Sequence, residues 1–137
     1  MTPELRSAFQ DRLSAARTHF QIKNFDAAFS ELETAHILGQ QYLLPHVTVH
    51  LWMLRVGIAR SDRREVVGQI TRLVATLPAF IFGWVPLGNT GGANVSAFKP
   101  MPVPQTLNNL IPSRNRLKGI SLRIAIAATA VLVWRFF

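Results

Sequence analysis

Three of the four histidines of this chain, His36, His46 and His50, fall within fifteen residues. His46 and His50 are four residues apart, so a helix would carry both on one face. Glu33 precedes His36 by three residues, the Glu-x-x-His spacing that supplies two ligands in carboxylate-bridged iron bundles. Nitrogen and carboxylate donors of this kind suit Zn²⁺, Fe²⁺ or a similar divalent ion. The spacing therefore predicts a metal site made of the three histidines, with Glu33 as the candidate fourth ligand.

The same histidines can also be explained without a metal. His36 continues the apolar stripe of its predicted helix, where a histidine usually packs in the core and bonds a backbone carbonyl. The stretch HVTVH lacks the glutamate of the zinc-protease motif, and a di-iron site would need a second Glu-x-x-His. Contact with a pigment, a haem or a partner is a third interpretation. Spacing alone favours structural histidines and leaves the metal site as the hypothesis to test.

Four segments carry apolar residues at three- and four-residue steps, the pattern of amphipathic helices that would position these side chains. The stripes are Leu5, Phe9, Leu13, Ala16 and Phe20; Phe25, Phe29, Leu32 and His36; Val47, Leu51, Leu54 and Ile58; and Val66, Ile70, Leu73 and Leu77. Asn24 and Asp62 are predicted N-caps, and Gly39 a C-terminal cap. Pro45 suits the first turn of the third helix, and Glu65 completes what resembles a capping box with Asp62.

The predicted fold class is all-α, with two antiparallel helical hairpins in residues 1–77. Helices of about 12–18 residues joined by short turns give this arrangement. The first hairpin resembles a tetratricopeptide repeat, because it has small and aromatic residues where that family packs them: Ala16, Asn24, Phe25, Ala28, Leu32 and Ala35. The second hairpin follows at an offset of 38 residues, longer than the roughly 34 of that repeat. The pattern therefore indicates a repeat-like domain and not a repeat array.

Residues 78–112 contain six prolines and are predicted to form an extended segment. Its hydrophobic content argues against a solvated linker, so we expect it to wrap over the hairpins or to lie on a membrane or a partner. The predicted partner contacts are its aromatic residues Phe80, Phe82, Trp84 and Phe98. The string GNTGGANVS lacks the Lys-Ser/Thr of a phosphate loop and predicts a turn that packs closely.

Residues 113–137 are predicted to form a basic flank and a C-terminal transmembrane helix. From residue 119 to residue 137 the only charged residues are two arginines, and a helix of that length spans about 28 Å, close to the hydrocarbon thickness. The positive-inside rule would then place the preceding domain in the cytoplasm. The predicted membrane-interface residues are Arg114, Arg116, Lys118, Arg123, Trp134 and Arg135. A hydrophobic helix packed on the hairpins is the alternative.

Composition limits the classes of function. The chain has a net charge of +8, with six basic and no acidic residues from 76 to 137, which favours an anionic lipid surface. Nucleic acid is not an expected partner, because the cluster Arg60, Arg63 and Arg64 has no interleaved aromatics and no recognition helix. The absence of cysteine excludes disulfides, thiolate metal sites and cysteine nucleophiles.

Three stretches, AHILGQ at 35–40, LPHVTVHLWMLRVG at 44–57 and PLGNTGGANVSAFKPMPVP at 86–104, resemble a family of short uncharacterised bacterial proteins classed as a domain of unknown function. The resemblance covers roughly residues 10–104, and the glycine/asparagine string is its most specific part. It implies a small helical protein with no established activity. The family's loose association with heavy-metal-resistance genes favours metal handling, and the hydrophobic tail is not part of the resemblance.

The sequence predicts a protein that is not an enzyme. No Ser-His-acid, paired-carboxylate or cofactor-loop arrangement stands out, and seven acidic residues leave little for general acid–base chemistry. The first hypothesis is an accessory or assembly subunit of a bacterial membrane protein complex, with a cytoplasmic helical domain and a single-pass C-terminal anchor. The alternative is a histidine-based metal-binding protein involved in metal handling or resistance, with a divalent ion such as Zn²⁺ or Fe²⁺.

Overall fold

The computed structural model describes residues 1–111, and within them the chain forms four α-helices and no β-strand. The helices are α1 (Pro3–Gln21), α2 (Phe25–Gly39), α3 (Leu43–Ala59) and α4 (Arg63–Phe82), followed by a single 3₁₀ turn at Gln105–Leu107. Each α-helix packs against the next one along the chain. The all-helical class is therefore confirmed, while the basic flank and helix predicted for residues 113–137 lie outside the described residues.

Side-chain caps begin the helices where the sequence predicts them. The Asn24 carboxamide accepts a hydrogen bond from the Ala27 amide at 3.3 Å, and the Asp62 carboxylate accepts one from the Glu65 amide at 3.0 Å. Each cap satisfies an amide that has no partner inside its own helix. Pro45 lies in the first turn of α3, as predicted.

Gly39 has a different role from the predicted C-terminal cap. It is the last residue of α2, and the capping residue is Gln40. A Cβ at Gly39 would lie 2.8 Å from the ring of Phe9 and 3.1 Å from Pro45. Glycine is therefore needed there because α1 and the start of α3 approach the end of α2 closely.

The first hairpin supplies most of the apolar core. Its buried apolar residues are Leu5, Phe9, Leu13 and Ala16 of α1 with Ala28, Leu32, Ala35, Ile37 and Leu38 of α2. Four of the six residues of the repeat-like pattern are among them, whereas Phe25 is half-buried and Asn24 is exposed. Val49, Met53 and Val56 of α3 extend this core. Leu107 joins it from the segment that follows α4.

The second hairpin turns its predicted core stripes outward. Leu51 and Ile58 of α3 are 46% and 60% exposed, and Ile70 and Leu77 of α4 are 49% and 54% exposed. The prediction that the stripes face the core was therefore wrong for these four residues, while Val47, Leu54, Val66 and Leu73 of the same stripes are half-buried. The inward face of α4 instead carries the polar Glu65, Gln69 and Thr76, and the inward face of α3 carries His46 and His50 beside its apolar core residues. Polar groups can be buried in this way because they satisfy one another's hydrogen bonds.

The fourth helix also runs beyond its predicted end at residue 77. It continues through Pro78 to Phe82, and Gly83 ends it with a positive φ of 72°. Within residues 1–111, α4 is the one helix long and apolar enough to cross a membrane. Because Glu65 and Gln69 on its inner face are held inside the domain, its apolar character resides in the exposed face.

The chain after Gly83 lies against α2 and α4. Arg72 donates hydrogen bonds to the carbonyl oxygens of Gly92 at 2.8 Å and Val95 at 2.6 Å. The amide of Met101 bonds the Leu87 carbonyl at 3.0 Å and folds the segment back on itself. These contacts place the glycine/asparagine string of residues 88–96 over the polar interior of the second hairpin.

Leu32→Ala should lower the free energy of unfolding by about 2–5 kcal/mol, because Leu32 is fully buried and its removal leaves a cavity. Leu77→Ala is the same chemical change at an exposed site and should cost less than about 0.5 kcal/mol. Urea denaturation followed by circular dichroism measures both. Equal losses would contradict the outward orientation of the α4 stripe.

Candidate metal centre

The three clustered histidines meet in the interior between α2, α3 and the glycine/asparagine string. One ring nitrogen from each lies within 4.8 Å of the others, and the ring centroids are 4.6, 4.7 and 4.8 Å apart. His36, His46 and His50 are only 3%, 6% and 2% exposed. The structure thus brings together three of the four predicted ligands.

Hydrogen bonds fix which nitrogen of His36 and His50 carries the proton. Nδ1 of His36 lies 2.7 Å from the carbonyl oxygen of Asn89, which can only accept, so Nδ1 is the donor. Nδ1 of His50 lies 2.6 Å from Oε1 of Gln69. The amide nitrogen of Gln69, Nε2, fixes the orientation of this side chain, because it donates to Glu65 at 2.6 Å and to the Gly91 carbonyl at 2.9 Å. Both neutral rings are therefore protonated at Nδ1, and both present a bare Nε2 to the interior.

The three Nε2 atoms face one another at short range. Nε2 of His50 lies 3.3 Å from Nε2 of His36 and 2.9 Å from Nε2 of His46. No proton is available for the contact between His36 and His50 when both are neutral. Nδ1 of His46 is buried and has no hydrogen-bond partner among the described residues. Hydrogen bonds from residues 1–111 therefore leave this cluster incompletely satisfied.

The three histidines stay neutral near pH 7, so protonation does not supply the missing hydrogen-bond donor. Burial lowers the pKa of His46 to about 3, and it lowers the pKa of His50 to about 4 against the opposing hydrogen bond with Gln69. Burial also lowers the pKa of His36 well below its usual value, and the neighbouring His50 and His46 add to that shift. Three neutral imidazoles therefore remain, and the Nε2 lone pairs of His36 and His50 face each other.

Two of the three nitrogen–nitrogen distances are close to those between ligands on one metal ion. Two nitrogens bound about 2.0–2.1 Å from a tetrahedral Zn²⁺ lie about 3.3–3.4 Å apart. The 3.3 Å between His36 and His50 falls in this range, and the 2.9 Å between His50 and His46 is slightly shorter. The partners at Nδ1 are also of the kind that orient metal-bound histidines, a backbone carbonyl and a side-chain oxygen.

Further polar residues hold the histidines in place. Glu65 accepts from Gln69, and its carboxylate also accepts from the Ala93 amide at 3.0 Å. A carboxylate–amide–imidazole chain therefore runs from Glu65 through Gln69 to His50. Glu65 takes this role instead of the predicted return bond of a capping box. Glu65 and Gln69 are four residues apart on one face of α4, a spacing that could have indicated the pair.

The glycine/asparagine string closes the cluster from the other side. Gly91 has a φ of 84°, and a Cβ there would lie 2.6 Å from Cδ2 of His36. Asn89 is 1% exposed and uses its side chain to bond the Ser96 and Lys99 carbonyls and the Gly91 amide. The prediction of a close-packing glycine turn is confirmed. Sequence reasoning missed Asn89, because its contribution to the site is a backbone carbonyl.

Glu33 is not part of the three-residue group that could hold an ion within residues 1–111. It lies beside Thr90, and burial raises its pKa, with the nearby Glu65 acting in the same direction and the Thr90 hydroxyl opposing it. The prediction of Glu33 as a fourth ligand therefore finds no support in the geometry. The guanidinium of Arg72 lines the same cavity as the three histidines, a position that the sequence did not predict.

The predicted partner contacts lie near the end of α4. Phe82 and Trp84 are 56% and 60% exposed and stack with ring centroids 5.0 Å apart. Phe98 is 71% exposed, and Phe80 is half-buried. All six predicted membrane-interface residues lie outside the described residues, in the range 112–137.

The chain belongs to the family described as "Protein of unknown function (DUF3703)", whose match covers residues 3–111. The predicted resemblance to an uncharacterised domain family is confirmed. The match contains the three histidines and the glycine/asparagine string, and it ends before the hydrophobic tail. No curated protein and no solved structure matches the chain.

The metal-free protein should lose stability as the pH falls from about 6.5 to about 4. The pKa values of His46 and His50 are lower in the folded state, so the unfolded state binds more protons in this window. The contribution of these neutral histidines to the free energy of unfolding is fully present above the unfolded pKa of about 6.5. Below that pH it declines by at most about 1.4 kcal/mol per pH unit for each histidine. Urea unfolding at several pH values in the presence of a chelator measures the slope.

His46→Asn should flatten this pH dependence, because it removes one of the histidines whose pKa burial lowers. The slope is informative even where a variant is less stable at every pH. An unaltered slope in His46→Asn would show that His46 is not held neutral by its surroundings.

Proposed function

We propose that this protein binds one divalent transition-metal ion through Nε2 of His36, His46 and His50, and that it handles the metal without catalysing a reaction. The observation that carries this proposal is the convergence of three buried histidine rings. In His36 and His50 the hydrogen bond at Nδ1 places the proton there and leaves Nε2 unprotonated. A cation accepts all three lone pairs at once.

A purely structural role explains this arrangement less well. Burying polar groups is unfavourable unless their hydrogen bonds are made. A structural histidine triad would be expected to donate and accept within the cluster, yet the contact between His36 and His50 lacks a proton. A bound metal ion removes this deficit and leaves the Nδ1 bonds to Asn89 and Gln69 intact.

Three neutral imidazoles favour particular ions. Imidazole nitrogen suits Zn²⁺, Cu²⁺, Ni²⁺ and Fe²⁺, whereas Mg²⁺ and Ca²⁺ prefer oxygen ligands. The family resemblance to proteins associated with heavy-metal-resistance genes agrees with this preference. Sequestration or delivery of such an ion is the function in metal handling that we propose.

The purified protein should bind close to one Zn²⁺ or Co²⁺ ion per chain. His46→Ala and His50→Ala should each abolish stoichiometric binding, because two remaining imidazoles hold such an ion weakly. Gln69→Leu should weaken binding by roughly 10–100-fold, since it removes the group that orients His50. Elemental analysis and competition with a chromogenic chelator measure both quantities.

His19→Ala is the matched control, since it removes a histidine outside the cluster. Metal-free wild-type protein after isolation without chelators and subsequent incubation with zinc, cobalt, nickel or copper salts would contradict the proposal. So would equal metal content in His19→Ala and His50→Ala.

An accessory subunit of a membrane protein complex is the second candidate function, and the exposed face of α4 favours it. Large apolar residues recur there at alternating three- and four-residue steps, all 46–76% exposed: Val67, Ile70, Val74, Leu77 and Ile81. This is the spacing by which one helix packs along another. The flanking Thr71, Leu73, Pro78 and Phe80 carry no charge. An apolar helix of an integral membrane partner is the occupant we propose for this face, with residues 113–137 as the anchor.

Val74→Glu should separate the protein from its partner, because a charge in the centre of the apolar seam opposes helix packing. In native gels of mild-detergent extracts, wild type should migrate as a larger complex and Val74→Glu as the free chain. Gln10→Glu, on the exposed face of α1, is the control.

Deletion of residues 113–137 should release the protein into the soluble fraction. A truncated chain that stays membrane-bound, or a wild type that migrates alone, would contradict this candidate.

A further inference from the structure

A small cavity borders the candidate metal centre. Its volume is about 50 Å³, and its walls include all three histidine rings, Arg72 and Thr76. This exceeds the roughly 10–15 Å³ that one water requires and is far below the roughly 300–1,000 Å³ of ordinary small-molecule sites. The cavity therefore has space beside the histidines for a ligand of only a few atoms.

The charges around this cavity favour an anion. Three neutral imidazoles leave the double charge of a bound metal ion uncompensated among its protein ligands. Arg72 adds a positive charge on the same cavity, and its Nη2 is held in place by the Gly92 and Val95 carbonyls. The Glu65 carboxylate is engaged by Gln69 and the Ala93 amide. It is therefore separated from His50 by Gln69.

The apolar walls of the cavity strengthen the attraction between an anion and the positive charges beside it. Ala75, Ala79, Val85 and Pro86 line the cavity with apolar surface. Charges interact more strongly beside such surface than in water, because the local dielectric is lower. A guanidinium group also presents several N–H donors in a fixed plane, which suits an anion of two or three atoms.

We propose that the metal ion held by the three histidines keeps one coordination position open to this cavity, and that a small inorganic monoanion from solution binds there beside Arg72. The inference rests on the proposed metal site. Metal centres with three protein ligands leave a fourth position for an exchangeable ligand, whereas closed structural sites have four protein ligands. Within residues 1–111 the group that could hold the ion contains only the three histidines.

Cobalt-substituted full-length protein and sodium azide test this proposal. The visible absorption of tetrahedral Co²⁺ changes when a ligand exchanges, so azide should produce a saturable spectral shift. Cobalt affinity is measured separately by chelator competition for every variant. This separates loss of the anion from loss of the metal.

Arg72→Gln should weaken azide binding by about tenfold, because it removes the positive charge while retaining one amide donor. Arg72→Lys should restore much of the azide affinity if the charge is what attracts the anion. Arg55→Gln is the matched control, since Arg55 stacks over Trp52 and does not border the cavity.

The outcomes separate the two proposals. A saturable azide shift that weakens in Arg72→Gln and recovers in Arg72→Lys supports the open anion position. Cobalt binding with a spectrum that azide leaves unchanged overturns this inference and leaves the metal site standing. Equal azide affinity in wild type and Arg72→Gln overturns the role of Arg72. Failure of the wild type to bind cobalt overturns both proposals.

Discussion

The hydrogen bond between Nδ1 of His36 and the carbonyl oxygen of Asn89, 2.7 Å long, joins the helical domain to the glycine/asparagine string. It sets the tautomer of His36 and so directs a bare nitrogen toward the other two rings. It also requires the string to approach α2 so closely that a side chain at position 91 would meet the imidazole. The glycine/asparagine string and the histidine cluster are thus one structural unit.

The polar interior explains why the second hairpin is arranged with its apolar stripes outward. Glu65, Gln69 and Thr76 of α4 face inward, where Glu65 and Gln69 reach Ala93, Gly91 and His50. Burial of these groups is tolerable because each bonds another group of the site or of the backbone. The large aliphatic side chains then have no place inside and form the exposed face that we propose binds a partner helix.

Local sequence signals were sufficient for much of the architecture. The caps at Asn24 and Asp62 and the apolar spacing of α1 and α2 predicted where helices begin and which faces of the first hairpin pack together. The same reasoning failed for α3 and α4, since periodicity identifies an apolar face without showing what it contacts. It also failed for Glu65, whose backbone amide takes part in the predicted cap while its side chain belongs to the site.

The sequence by itself determined that the chain is helical, that it carries three histidines in one short stretch, and that it belongs to an uncharacterised family. Only the tertiary structure decided that these histidines meet, in a group that does not include Glu33 among the described residues. The reason is physical: spacing along one helix fixes a shared face, as for His46 and His50. Bringing His36 to them depends on the packing of α2 against α3. Fixing its proton depends on a carbonyl 53 residues away along the chain.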